Sequence, residues 1–348
     1  FKKLANEFEI DAVYCNKDYE PYALVRDGEI KDFLSEKNIA FHAFKDQVIF
    51  EENEVTKPDG SPYTVFTPYK KKWLERLKEH PFETFDSTPL FCNFFKNNNP
   101  FPSREALEIQ LSEIVVKPFN LDVITNYKEK RDFPAEDATS YLSPHLRFGI
   151  VSIRQMVAMA ESATFLSELV WREFFMQILF HFPRVVTENF KSQYDGIEWR
   201  NNESEFEKWC LGKTGYPLVD AGMRQLNTTG YMHNRVRMVV ASFLCKHLLI
   251  DWRWGEAYFA GKLLDFELSS NNGNWQWAAG TGCDAAPYFR VFNPTEQLKR
   301  FDKNLEYVRK WVHDFDELTY PQPMVAHKMA RERALSAYKT GIEKFRNG

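Results

Sequence analysis

The sequence predicts a short α/β domain whose first strands are absent, followed by a large all-α domain. Three observations lead there. Residues 1–50 alternate between helical and strand-like patterns, residues 79–104 are broken by Pro and Asn, and apolar residues recur at helical spacing through most of the remainder.

In chain order, Phe1–Phe8 reads as the last turns of an amphipathic helix and Ile10–Tyr14 as a short buried strand. A helix near Pro21–Glu36 and an apolar stretch through Phe41–Phe50 continue a βα alternation already under way, so earlier strands are expected to be missing. Past the turn signal Pro58-Asp59-Gly60 the chain reads as irregular, and the run Asn97-Asn98-Asn99-Pro100 suits an interdomain linker. Ser103-Arg104-Glu105 carries helix-start signals, and helices are expected over 164–182, 217–228 and 232–249, with Pro217 at a first turn and Gly230 between two helices. The expected division is residues 1–56 for the α/β remainder, 57–110 for the linker and 111–348 for the helical domain.

Composition narrows the class. With 348 residues, 44% hydrophobic, the chain can bury a sizeable core. A net charge of −4 excludes a polybasic tail while allowing a local cationic groove. Five scattered cysteines without CxxC spacing read as reduced thiols in a cytoplasmic protein, and neither a signal peptide nor a membrane-spanning run is evident. No metal-ligand pattern, GxGxxG or P-loop is present.

Several segments put polar groups where packing alone would not. Glu168, Trp171 and Arg172 fall on one helical face, which reads either as a solvated salt bridge or as part of a site. Asn234, Arg237 and Met238 share a face of the helix that follows Gly230. Asp265 to Trp277 joins two acids, an Asn-Gly pair and two indoles within 13 positions, a composition suited to a chain bending around a polar aromatic ligand. The hydroxyls of Thr139-Ser140-Tyr141-Leu142-Ser143 precede a helix and read either as a cap or as a phosphate cradle.

From about residue 127 onward, RDFPAEDATSYLS, ELVWREF, GKTGYPLVDAGMRQLNTTGYMHNRVRM, LLIDWRWGE and NNGNWQWAAGTGCDAAPYFRVFNP occur in the order found in the photolyase/cryptochrome family. The chain resembles that family, and within it the bacterial class I cyclobutane-dimer enzymes. Residues 1–75 resemble the end of its α/β antenna domain. The resemblance implies FAD, folded into a U and active as the reduced anion, inside the helical domain. It sets Tyr127 and Thr139, Ser140, Tyr141, Leu142 and Ser143 around the phosphates and ribose, Arg237 paired with Asp265 beside the ring, and Asn271 at the ring's N5 edge. Glu267 stands where many relatives carry Asp.

The same resemblance implies UV-damaged DNA as the partner, with a pyrimidine dimer flipped out between Trp171 and Trp277. Glu168 would meet the dimer's carbonyl edge, with Arg172, Asn234, Arg235 and Met238 completing the pocket. Arg131, Arg235 and Arg290 would lie along the DNA backbone. Trp275, Trp252 and Trp199 match the family's electron-transfer tryptophans. The expected activity is light-driven dimer splitting by electron transfer from the excited flavin, in a monomer. A blue-light signalling cryptochrome and a (6-4) photolyase are the alternatives. Asn234 and Met238 stand where (6-4) enzymes carry histidines, and 28 residues follow Tyr320. Tyr22-Ala23 replaces the Asn-Glu pair of folate-using relatives, so the antenna chromophore stays open.

Overall fold

The computed structural model describes residues 1–96, 98 and 100–347; Asn97 and Asn99 of the asparagine run lie outside them. Helix α1 (Lys2–Glu7) precedes strand β1 (Ala12–Asn16), and helix α2 (Pro21–Glu36) crosses over to β2 (Ala40–Phe44). The strands pair in parallel from Ala12 opposite Ala40 to Asn16 opposite Phe44, which is the geometry a helical crossover permits. The ladder starts two residues after the expected Ile10, because pairing rather than the apolar side chain defines the strand.

The segment after Pro58-Asp59-Gly60 is not irregular throughout: helix α3 spans Phe66–Glu79. Its buried face is Phe66, Tyr69 and Trp73, while Lys70, Lys71 and Lys72 crowd the other side and mask the period. Pro68 falls in its first turn, where the missing N–H is tolerated. The expected helix start at Ser103-Arg104-Glu105 is a correction in the opposite sense. The Leu107 N–H reaches the Ser103 carbonyl, but Glu108 turns left-handed (φ 55°) and ends the turn. Leu107, Ile109 and Leu111 stay exposed, so no buried face exists to sustain a helix.

Short helices α4 (Tyr127–Lys130), α5 (Leu142–Arg147) and α6 (Ile153–Ala158) lead to α7 (Ala163–His181), capped by Ser162 and buried on nearly every side. Then come α8 (Glu203–Cys210), α9 (Pro217–Thr229) and α10 (Asn234–Ser242), which runs into a π-helical turn over Phe243–Leu248. Helices α11 (Trp252–Ala260), α12 (Leu268–Ala279), α13 (Pro294–Phe301), α14 (Glu306–Trp311) and α15 (His327–Asn347) complete the domain. One apolar core gathers around α9, α10, α11 and α12, and a second where α3 lies on α7. Among the described residues no helix is long and apolar enough to cross a membrane.

Most of the polar run 265–277 is helix, α12 from Leu268 onward with Glu267 as its N-cap, rather than a chain bent around a ligand. Its buried amides are satisfied: Asn272 and Gln276 both donate to the Val185 carbonyl, at 2.9 and 3.0 Å. Gly273 does not mark a turn. It sits inside the helix, where a Cβ would strike the ring of Phe175 on α7. Gly255 is constrained in the same way by the ring of Trp275. Gly255→Ala should therefore cost about 1–3 kcal/mol by overpacking. The check is urea unfolding, with the midpoint lowered at unchanged slope.

Candidate active site

Helices α5, α7, α10 and α12 wall a cavity of about 440 Å³ that opens into a smaller recess of about 90 Å³. Both volumes share Asn234, Arg237, Met238, Asp265, Glu267, Ser270, Asn274 and Trp277. The sequence face on α7 arrives as expected, with Glu168, Trp171 and Arg172 lining the cavity, and so does the α10 face of Asn234, Arg237 and Met238.

At one end Thr139, Ser140, Tyr141, Leu142 and Ser143 enter α5, with Tyr127 beside them. Tyr141 is left-handed (φ 52°) and gives no side-chain cap, so the first N–H groups of α5 are left open to a ligand. In the middle, Arg237 meets Asp265 at 2.9 Å, and Ser143 donates its hydroxyl to the same carboxylate at 2.7 Å. Burial works against the guanidinium charge, but Asp265 outweighs it and holds Arg237 above its ordinary pKa.

Glu267 is accounted for by α12. Its carboxylate accepts the Ser269 and Ser270 N–H groups, both at 2.9 Å, as the N-cap of the helix. Asn271 lines the recess, and its Nδ2 donates to the Glu256 side chain at 2.7 Å and the Glu256 carbonyl at 3.1 Å. Burial raises the Glu256 pKa, and Asn271 opposes that shift.

The expected arginines have partners of their own. Arg131 lines the cavity and donates to Glu168 at 2.5 Å. Arg172 donates to the Gln47 carbonyl at 2.7 Å, tying α7 to the segment after β2, and burial lowers its pKa. Arg235 pairs with Asp132 at 2.7 Å and lies over the Phe301 ring. Arg290 is exposed, above the ring of Phe292.

Trp275 edges the recess and Trp252 is buried deeper, its indole bound to Asn189 at 2.9 Å. Trp199 is half-buried against Tyr338. Sequence reasoning passed over Arg147, Phe175, Ser270 and Asn274, which also line the cavity. Ser270, Asn274 and Trp277 stand at i, i+4 and i+7, a signal readable only once the run is taken as a helix. Arg147 pairs with Glu20 at 3.3 Å and brings a cation to the α5 end.

The profile described as the FAD binding domain of DNA photolyase matches residues 165–319, and the DNA photolyase profile matches residues 1–88. The deoxyribodipyrimidine photo-lyase of Vibrio cholerae is 38% identical over 395 residues, covering 97% of this chain and 81% of that protein. The chain belongs to the DNA photolyase family.

Solved photolyase structures agree in fold. The class III photolyase of Agrobacterium tumefaciens gives a TM-score of 0.78 at 34% identity, over 99% of this chain and 82% of that one. The archaeal photolyase of Sulfolobus tokodaii, solved with two FAD molecules, gives 0.76 at 35% identity, over 95% and 79%. The fold expected from the sequence, a small α/β unit followed by a helical FAD domain, is the photolyase fold seen here.

Proposed function

We propose that this protein is a deoxyribodipyrimidine photo-lyase that holds FAD in the cavity and reverses cyclobutane pyrimidine dimers flipped out of UV-damaged DNA under blue light. The observation that carries this reading is the joining, in one cavity, of the Arg237–Asp265 pair and the Asn271 recess to the indoles of Trp171 and Trp277.

The residues present fit FAD. The cavity lies within the range of cofactor pockets, roughly 300–1,000 Å³, and offers uncapped N–H groups at one end and a guanidinium–carboxylate pair midway. When bound, the flavin supplies the light-driven one-electron chemistry that protein side chains lack. The start of α5, with Thr139, Ser140 and Ser143, would hold the pyrophosphate, and Tyr127 would close that end. Arg237 favours the anionic reduced form, and Asp265 fixes the guanidinium in place. With Nδ2 of Asn271 engaged by Glu256, the amide oxygen is the group left to accept a ring N–H.

Trp171 and Trp277 supply apolar faces for the extruded dimer, and Glu168, held by Arg131, meets its polar edge. Asn234 and Met238 fill the space between them. Arg172 braces this wall through Gln47, while Arg235 and Arg290 serve the DNA backbone. With the flavin bound, Trp275, Trp252 and Trp199 would carry electrons between it and the surface. No histidine lines the cavity among the described residues, which speaks against (6-4) repair, a reaction needing an imidazole acid there.

Asn271→Asp sets a carboxylate against that of Glu256, and like charges at this range oppose ionisation of the pair. Air reoxidation of the reduced, FAD-loaded variant should be faster by about tenfold, or roughly 1.4 kcal/mol. Stopped-flow absorbance checks this, and an unchanged rate removes Asn271 from its role.

The function itself is tested with two duplexes, one carrying a thymine cyclobutane dimer and one a (6-4) lesion, each incubated with reduced FAD-loaded protein in blue light and in darkness. Restoration of the first alone, and only in light, is expected. Restoration of neither would favour a signalling role.

A further inference from the structure

Glu173 lies two residues beyond Trp171 on α7, is 2% exposed and belongs to none of the cavity's linings. Among the described residues it makes no ion pair, and four neutral donors converge on it instead. The Ile49 and Phe50 N–H groups reach its two oxygens at 2.6 and 3.2 Å. The Trp73 indole and Tyr69 hydroxyl, both on α3, reach Oε1 at 2.6 and 3.4 Å. A carboxylate without an ion-paired cation is costly to bury, so an arrangement this saturated fixes its surroundings strongly. Burial pushes the acid up to about 7 even against these donors and the charge of the neighbouring Arg172.

What Glu173 holds is α3, and α3 begins at Phe66. The Phe66 ring lies flat on Trp171, centroids 3.6 Å apart and planes 7° from parallel. Phe66 is 8% exposed and lines neither volume, whereas Trp171 does, so Phe66 backs the indole from the protein side. Phe175, one turn along α7, packs against the same indole at 5.4 Å. Two further ties hold α3: Asp284 accepts the Phe66 N–H at 3.1 Å, and Lys70 reaches the Ser167 hydroxyl.

We propose that Glu173 is a positioning residue of the lesion pocket: through Trp73 and Tyr69 it fixes α3 so that Phe66 sets the plane in which Trp171 meets the substrate. The inference rests on the reading of Trp171 as a wall for the flipped dimer. It makes selectivity for damage depend on a carboxylate that never touches DNA. An aromatic wall contributes to stacking only while its plane is held, so loosening α3 costs stacking and leaves contacts to the phosphate backbone intact.

The test uses the FAD-loaded full chain in the dark and compares dissociation constants for a duplex with one thymine dimer and the same duplex undamaged. Glu173→Gln keeps the shape but turns an amide N–H toward a backbone donor. It should weaken dimer binding about tenfold, within the range of one base–aromatic stack. Undamaged-duplex binding and flavin content should stay as in the wild type. Phe66→Leu should act alike, and Glu173→Gln combined with Phe66→Leu should be no worse than Phe66→Leu alone, since both act on one path.

Trp73→Phe removes a single donor while keeping a ring, and should shift selectivity in the same direction; it decides the matter if Glu173→Gln does not fold. Unchanged dimer binding in Glu173→Gln and Trp73→Phe, additive effects with Phe66→Leu, or equal losses on both duplexes would each overturn the inference. Trp171→Ala separates the two layers. If it loses dimer affinity while the Glu173 and Trp73 variants keep theirs, this inference alone falls. If Trp171→Ala keeps dimer affinity, the reading of the wall falls and this inference with it.

Discussion

Arg237→Leu will purify without bound FAD. The guanidinium donates Nη2 to both oxygens of Asp265, at 2.9 and 3.2 Å, and Nε to the Met232 carbonyl at 2.7 Å. The Asp265 side chain is 6% exposed, so removing its cation leaves a buried carboxylate with only the Ser143 hydroxyl. Breaking such a pair from one side costs about 3–5 kcal/mol. An anionic ring would add a second negative charge to the same place. Flavin absorbance per protein after gel filtration should fall to background, accompanied by a lower melting temperature. Arg237→Lys restores the charge but not the fork, so partial retention is expected. Full occupancy in Arg237→Leu would remove the pair from the cofactor site.

Trp277→Ala should separate substrate from cofactor. The indole lines both the main cavity and its recess, from a helix whose buried side is packed independently through Asn272, Trp275 and Gln276. Truncation should therefore spare the fold and remove stacking worth about 1–3 kcal/mol per base. Dimer-duplex affinity in the dark falls roughly 5- to 150-fold by that measure, with flavin content and undamaged-duplex affinity little changed. Fluorescence anisotropy with the two duplexes decides it, and an equal loss on both would show that Trp277 contacts DNA without reading damage.

The pairing of Arg237 with Asp265 illustrates how far sequence reasoning reached. Each residue alone is an unremarkable charge, and composition could not join positions 28 apart; only the resemblance did, and the geometry brings them together. The faces Glu168/Trp171/Arg172 and Asn234/Arg237/Met238 were legible from spacing, because a helix fixes which side chains share a side. Helix α12 was misread because its buried face is made of amides. Its burial is satisfied by the Val185 carbonyl and by Glu256, partners 15 or more residues away that no local pattern encodes.

Helix α3 escaped because lysines dilute its apolar period, and its role as backing for Trp171 depends on contacts about 100 residues apart in sequence. Conversely, 103–105 carried start signals with nothing beyond them to bury. Propensity without a packed face did not make a helix.

One cavity that joins flavin to dimer couples light absorption to repair. The most direct test of that coupling is an action spectrum: the initial rate of dimer repair by the reduced, FAD-loaded protein at equal photon flux across the near-ultraviolet and blue. The rate should follow the absorption of the bound reduced flavin, vanish in the dark, and be absent from flavin-free Arg237→Leu. Repair in darkness, or a spectrum unrelated to the bound flavin, would contradict it.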